Sequence, residues 1–379
     1  MRTLYLLTGA LLLTMACKQS YEPPAIKAPN RFLVVEGVIN ATPGASTVIL
    51  LSRTRNLQDT VVSDPERAAL VQIESSGGTQ YTLTESANGR YVSAPLSLNA
   101  SQNYRLKIRT SNGSEYLSDF VPVKISPPID SLSWKQADAP AKDVTVYVST
   151  HDAGNNSRYY RWDFTETWQY RSVYETDMYL IGNYIHFTDS TNQIYNCWST
   201  TPSTLIALGS SVKLSQDVID KAPVAVIPQN SPKIGVRYSI LVRQYVLTPE
   251  AHKFFEILQK NTEQLGTLFD PQPSQLAGNI RNINNTGEPV IGFVTASTVT
   301  EKRLFINKAE VVDWTGGLPS IDCTIAFTPQ DPVDFRVWHY SDTAYSPYYF
   351  VTGGGIAIAR KTCLDCRRKG GTNQKPSFW

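Results

Sequence analysis

Histidine, methionine and charge imbalance are what this chain has least of. Its 379 residues include four histidines and three methionines, and 35 basic residues stand against 33 acidic ones. His151, His186, His252 and His339 are scattered, and none has the two-histidine spacing of a helix-borne zinc site, which disfavours a metalloprotease or metal-dependent hydrolase. Near-neutral charge, with no like-charge run longer than Arg367-Arg368-Lys369, argues against a basic groove for nucleic acid. There is no Gly-x-Ser-x-Gly elbow, and Gly353-Gly354-Gly355 lacks the Lys-Ser/Thr that completes a phosphate loop. That triplet reads instead as a bend before a last strand. No internal repeat or low-complexity tract occurs. The sequence therefore assigns no catalytic residue, no metal and no cofactor.

What is present begins at the front. Arg2 is followed by a short apolar run (Leu4, Leu6, Leu7, Leu11, Leu12, Leu13) and then Thr14-Met15-Ala16-Cys17. A basic start, a run too short for a spanning helix of about 20 residues and a small residue before the cut make a secretory signal over 1–16. A cysteine after the cut makes it a lipoprotein signal, with Cys17 as the lipidated residue. Several acyl chains, at about 0.8 kcal/mol per buried CH₂, would hold the chain on a membrane. Residues 17–30 (CKQSYEPPAIKAPN) carry three prolines and little that packs, so they read as a tether. Four cysteines remain: Cys197, Cys323, Cys363 and Cys366. An even number in an exported chain favours two disulfides, with three connectivities open. A zinc half-site or redox pair at Cys363-x-x-Cys366 is the alternative. It fits less well, because the other two cysteines lie far apart and Arg367-Arg368-Lys369-Gly370-Gly371 is no helix after a strand.

Aromatics are plentiful (20 Tyr, 7 Trp), as are proline and glycine (23 and 22), the composition of a turn-rich β protein. Between Arg31 and Val123 seven short alternating runs are expected as strands: 33–35, 48–50, 71–73, 81–83, 91–92, 104–108 and 116–120. Gly77-Gly78, Asn88-Gly89 and Asn112-Gly113 supply hairpin turns, so strands three to seven read as a meander. The expectation is mainly β: an immunoglobulin-like sandwich over 31–126, ended by Pro127-Pro128, then a larger β-rich domain over 127–379. The second region opens with 144–148 and a long strand, Tyr160 to Tyr170. Its alternation puts Tyr160, Trp162, Phe164, Trp168 and Tyr170 on one face and Arg161, Asp163, Thr165, Thr167 and Gln169 on the other. Glu166 interrupts the aromatic face, which requires a bulge or a polar partner. One amphipathic helix is expected over 249–265, with Thr248 as N-cap, Pro249 at its first position, and Phe254, Ile257, Leu258 and Leu265 at helical spacing before Gly266. Further strands are expected at 289–294, 303–306, 323–327 and 356–359, with 130–132 and 341–349 as connections.

Acid pairs such as Asp163 with Glu166, or Asp331 with Asp334, arise often by chance in a chain with 33 acids. Trp162, Phe164 and Trp168 read as core. The irregular aromatics Tyr174, Tyr179, Tyr184 and Tyr195, with Tyr345, Tyr348 and Tyr349, are the candidates for a binding surface, because amphipathic rings outside a period-two pattern suit contact with glycans or extended peptides.

Several segments together resemble a known family. They are Leu33-Val34-Val35-Glu36-Gly37, Leu51-Ser52-Arg53-Thr54, Leu268 to Ser274 (LFDPQPS), Gly278-Asn279-Ile280 and Arg303-Leu304-Phe305-Ile306. To these the ending adds Cys363-Leu364-Asp365-Cys366-Arg367, Gly370 to Asn373 and Pro376-Ser377-Phe378-Trp379. They resemble the Bacteroidetes lipoprotein family filed as domain of unknown function four-two-four-nine. The resemblance implies an outer-membrane lipoprotein, with the surface face favoured, encoded beside TonB-dependent transporters. It carries over no catalytic residue. The expected function is thus a non-enzymatic accessory or ligand-binding partner of a TonB-dependent nutrient transporter, with a glycan or peptide as further ligand. The alternatives are a surface hydrolase acting on glycan or peptide and a structural or adhesive surface module.

Overall fold

The computed structural model describes residues 31–55, 64–181, 184–189, 191–263, 277–316, 322–327 and 344–379. Cys17, the tether and the Leu268–Ser274 segment lie outside them. The first strands are β1 (Leu33–Asn40), β2 (Val48–Arg53), β3 (Leu70–Ser75), β4 (Gln80–Ala87), β5 (Arg90–Ser93), β6 (Asn103–Arg109), β7 (Glu115–Ser118) and β8 (Val121–Lys124). The last expected run, 116–120, is strand only to Ser118, and a further strand, β8, begins just beyond it at Val121. The three glycine turns form the β3–β4, β4–β5 and β6–β7 hairpins as expected. The meander does not continue between them: β6 pairs back with β3, and β5 pairs with β2. The reason is the nine-residue link 94–102, which is too long for a tight two-residue hairpin.

The next strands are β9 (Ile129–Gln136), β10 (Val144–Asp152), β11 (Tyr159–Arg171), β12 (Met178–Ile181), β13 (Tyr184–Phe187), β14 (Asn196–Pro202), β15 (Ala207–Ser210), β16 (Asp217–Ile227) and β17 (Arg237–Val246). The helix α1 (Pro249–Glu263) follows. Beyond it come β18 (Ile280–Asn282), β19 (Ala296–Ser297), β20 (Thr300–Asn307), β21 (Ala326–Phe327), β22 (Tyr345–Phe350), β23 (Ile356–Arg360) and the short helix α2 (Lys361–Leu364). Residues 130–132 and 345–349 are therefore strand, not connection. Conversely, 289–294 contributes only an isolated bridge, Val34 to Ile291.

The first body borrows from the second half of the chain. β18 pairs with β7, and β19 lies parallel between β1 and β8. Because β8 also pairs with β6, the strands β6-β3-β4-β5-β2-β1-β19-β8 form a hydrogen-bonded ring. Its interior is filled by alternating residues such as Leu33, Ile49, Val71, Ile73, Leu106 and Ile108. Gly278 and Gly292 make the insertion fit. A Cβ at Gly278 would stand 1.9 Å from the Gly292 carbonyl oxygen. One at Gly292, whose φ is +143°, would stand 2.3 Å from that of Val35. Asn279, between them in space, donates from Nδ2 to the Val294 carbonyl (2.9 Å) and accepts from the Val294 amide (2.8 Å).

The second body faces two sheets. The sheet β16-β10-β9 turns Val144, Val146 and Val148 towards Tyr160, Trp162 and Phe164 of the sheet β14-β11-β17-β20. β11 runs without a register shift, and Glu166 stays on its aromatic face. The partner is present: Lys233 donates to Glu166 Oε2, and the Tyr238 hydroxyl donates to Oε1 at 2.8 Å. At the junction after Ser126, the Gln244 amide accepts from Trp162 Nε1 (2.9 Å) and donates to the Pro127 carbonyl (2.8 Å), so the buried indole N–H and this carbonyl are both satisfied.

Candidate functional site

The tyrosines come from two stretches some 150 residues apart in sequence, and tertiary structure brings most of them together. β12 and β13 form a hairpin in which Tyr179 faces His186, with ring centroids 5.6 Å apart. This hairpin packs beside β22, the outer strand of the three-stranded sheet β21-β23-β22. Tyr174 stacks on Tyr348 at 5.0 Å, and Tyr348 meets Tyr349 edge-on at 4.7 Å. The Thr176 hydroxyl donates to the Tyr348 carbonyl at 2.7 Å. Tyr345 and Tyr195 lie at the margins, each under a guanidinium: Arg360 for the first, Arg171 for the second. Tyr184 opens β13 opposite Ile181.

Both disulfides hold this surface in place. Cys323 pairs with Cys363 and Cys197 with Cys366. Cys363 on α2 thus ties the stretch before β21 to the helix after β23. Cys366, opening a short 3-10 turn, fastens the same helix to β14 of the second body. The Tyr174 hydroxyl donates to the Cys323 carbonyl at 2.7 Å, and its amide donates to the Cys363 carbonyl at 3.0 Å. Beyond the last cysteine, Thr372 bridges Trp198 by two backbone bonds, and Trp379 packs edge-on against Trp198 and Phe305. The three-glycine bend, with positive φ at Gly353, Gly354 and Gly355, turns β22 into β23. Around the cluster Val173, Ile181, Phe187, Phe327 and Phe350 are exposed apolar side chains.

The acids Asp163 and Glu166 are already engaged. Asp163 accepts from Arg243 Nε at 2.6 Å on the polar face of β11, while Glu166 is held by Lys233 and Tyr238 on the opposite face. The two carboxylates thus face away from each other. Asp331, Asp334 and His339 lie outside the described residues. His252, in the first turn of α1, packs against Tyr159 at 5.0 Å, and burial pulls its pKa down. Among the described residues no group of three His, Cys, Asp or Glu side chains converges as a metal site, and no helix is long and apolar enough to cross a membrane.

One further feature had no sequence signal beyond the placement of Arg161 on the polar face of its strand. A cleft of about 550 Å³ lies between β1, the 291–293 segment, β11 and α1. Its walls come from five separated stretches, the fifth being residues 203–206, so no single window of sequence contains it.

Fold and surface together define a disulfide-braced, mainly β protein that presents aromatic side chains on a small clamped sheet. The chain belongs to the family described as Domain of unknown function (DUF4249), whose model matches residues 18–303. The match stops before Cys323, so the cysteine-rich ending extends past the matched region. No curated protein matches the chain. Among solved structures it is similar to the native conformation of E. coli alpha-2-macroglobulin, determined by cryo-EM. The identity there is 12% over 59% of this chain and 13% of that one, with a TM-score of 0.19, too slight a likeness to bear on the fold.

Proposed function

We propose that this chain is a non-enzymatic lipoprotein, held in the outer membrane by acyl chains on Cys17, that serves as an accessory or ligand-binding partner of a TonB-dependent transporter. In this reading the first body is an immunoglobulin-like sandwich closed at its margins by residues 277–298. The clamped tyrosine surface engages the transporter or its glycan or peptide cargo. The surface-exposed face of the membrane is the favoured location. The observation that carries the reading is the meeting of Tyr174 with Tyr348 and Tyr349 beside both disulfides. Rigid aromatic side chains lose little entropy on binding and supply the anchors of protein interfaces. The lipobox supports the anchoring. The opposed, base-paired Asp163 and Glu166 give no support to the hydrolase alternative.

Native-membrane purification in detergent tests the proposal. The lipidated protein should bring a transporter barrel with it. Replacing the half-exposed Tyr179 and Tyr349 with alanine should weaken that association about tenfold or more while the circular dichroism spectrum is unchanged. Cys17→Ser should move the protein to the soluble fraction. A solubilised protein running alone while the transporter is abundant would sink the partnership and leave the adhesive-module reading standing.

A further inference from the structure

We propose that the cleft between the two bodies is a binding site for a small amphipathic monocarboxylate, with Arg161 as the carboxylate-binding residue. This cleft is separate from the tyrosine surface and from the lipid anchor.

The apolar wall is built by α1. Phe254, Phe255 and Leu258 line the cleft from the helix, and Phe293, whose ring lies 5.4 Å from that of Phe254, lines it from the first body. The helix is fixed to the 203–206 segment, which forms another side. Gln259 Nε2 donates to the Ile206 carbonyl at 2.6 Å, and the Ile206 amide donates to Glu263 Oε1 at 2.8 Å. The resulting volume, about 550 Å³, lies within the roughly 300–1,000 Å³ typical of small-molecule sites.

Arg161 is the only cation among the described lining residues. Its guanidinium carbon lies over two rings, 4.8 Å from the centre of Tyr245 and 4.6 Å from that of Phe255. Its side chain is only 16% exposed, yet among the described residues it donates no hydrogen bond; its ion pair with Asp163 is long, at 3.7 Å. That distance is too long for a hydrogen bond. Asp163 is instead committed to Arg243. A guanidinium that donates no hydrogen bond among the described residues keeps its N–H groups for an anion, and it pairs with two oxygens through the edge of its fork. The charge inventory selects the anion. A phosphate dianion would require a second cation, which the described lining does not supply; Asp163 and the solvent-exposed Glu36 oppose any anion there, and a dianion about twice as strongly as a monoanion. A monocarboxylate matches one guanidinium, and the phenylalanine wall calls for an apolar tail behind it.

Isothermal titration of the soluble mature chain with decanoate and, separately, with N-acetyl-trileucine bearing a free carboxyl terminus tests the site. At least one should bind at a single saturable site, and the tighter of the two identifies the source as a free fatty acid or a peptide end. Decanol and the amidated peptide should bind at least tenfold more weakly, as should the acids to Arg161→Gln. Leu258→Trp, which fills the cleft from the helix and leaves the Arg161 charge in place, should also remove binding, and this keeps the test decisive if Arg161→Gln fails to fold. The proposal is overturned if neither acid binds at millimolar concentration, if the alcohol binds as well as the acid, or if a folded Arg161→Gln binds undiminished.

Discussion

At the scale of single residues, the second body is held by tyrosine hydroxyls pointed at carboxylates. Tyr238 donates to Glu166, and Tyr160 donates to the buried Asp217 at 3.1 Å. Burial first, and the neighbouring carboxylate second, pushes both phenols, and Tyr245 beside Asp163, well above the ordinary tyrosine value. The sign of the pH dependence follows. In the unfolded chain these phenols ionise near pH 10, whereas in the folded chain they stay protonated beyond it. The stability they contribute is therefore complete below about pH 10 and is lost as pH rises above it, by up to about 1.4 kcal/mol per pH unit for each tyrosine. Phenolate absorbance followed together with thermal melts should show an early phase from exposed tyrosines and a late one coincident with unfolding. Ionisation of all 20 tyrosines in one phase, with the melting temperature unmoved, would contradict this account.

At the scale of elements, the Gly278-Asn279-Ile280 motif has a mechanical explanation. The strand β18 and the neighbouring 291–297 segment enter the first body through a glycine-to-glycine approach, and the Asn279 side chain imitates a strand partner for Val294. Asn279→Ala leaves a buried amide and a buried carbonyl without partners, for an expected loss of about 2–4 kcal/mol. Urea melts of the two proteins measure it, and a difference below about 0.5 kcal/mol would remove the claim, being the size of an ordinary surface substitution. The helix behaves as its sequence indicates: Thr248 Oγ1 accepts from the Ala251 amide at 3.2 Å, and Phe254 is buried. Leu265 and Gly266, the expected end, lie outside the described residues.

At the scale of the molecule, the two disulfides decide whether the C-terminal sheet stays with the body. Cys197–Cys366 closes 169 residues and Cys323–Cys363 closes 40. Long closures restrict the unfolded chain most, and removing a native bridge typically costs about 2–5 kcal/mol. Cys366→Ser should therefore lower stability by that amount and open residues 344–379 to protease first, since β14 loses its covalent tie to the 3-10 turn. Melts with and without reductant check the same point. Identical curves for the oxidised and reduced protein would show that the bridges contribute nothing.

Local pattern was enough for much of this. Period-two alternation placed the faces of β11, glycine pairs placed three hairpins, and Thr248-Pro249 placed the start of the helix, because each depends on neighbours within a few residues. Pairing was not legible. That β6 returns to β3, that residues 296–297 complete a ring begun at Leu33, and that Glu166 meets Lys233 and Tyr238 all follow from chain segments converging across long separations. The sequence by itself determined a mainly β chain and the residue types of an aromatic surface. Only the tertiary structure decided which cysteines pair, which tyrosines meet and that Arg161 faces a cleft, because burial and hydrogen-bond satisfaction are properties of the assembled core.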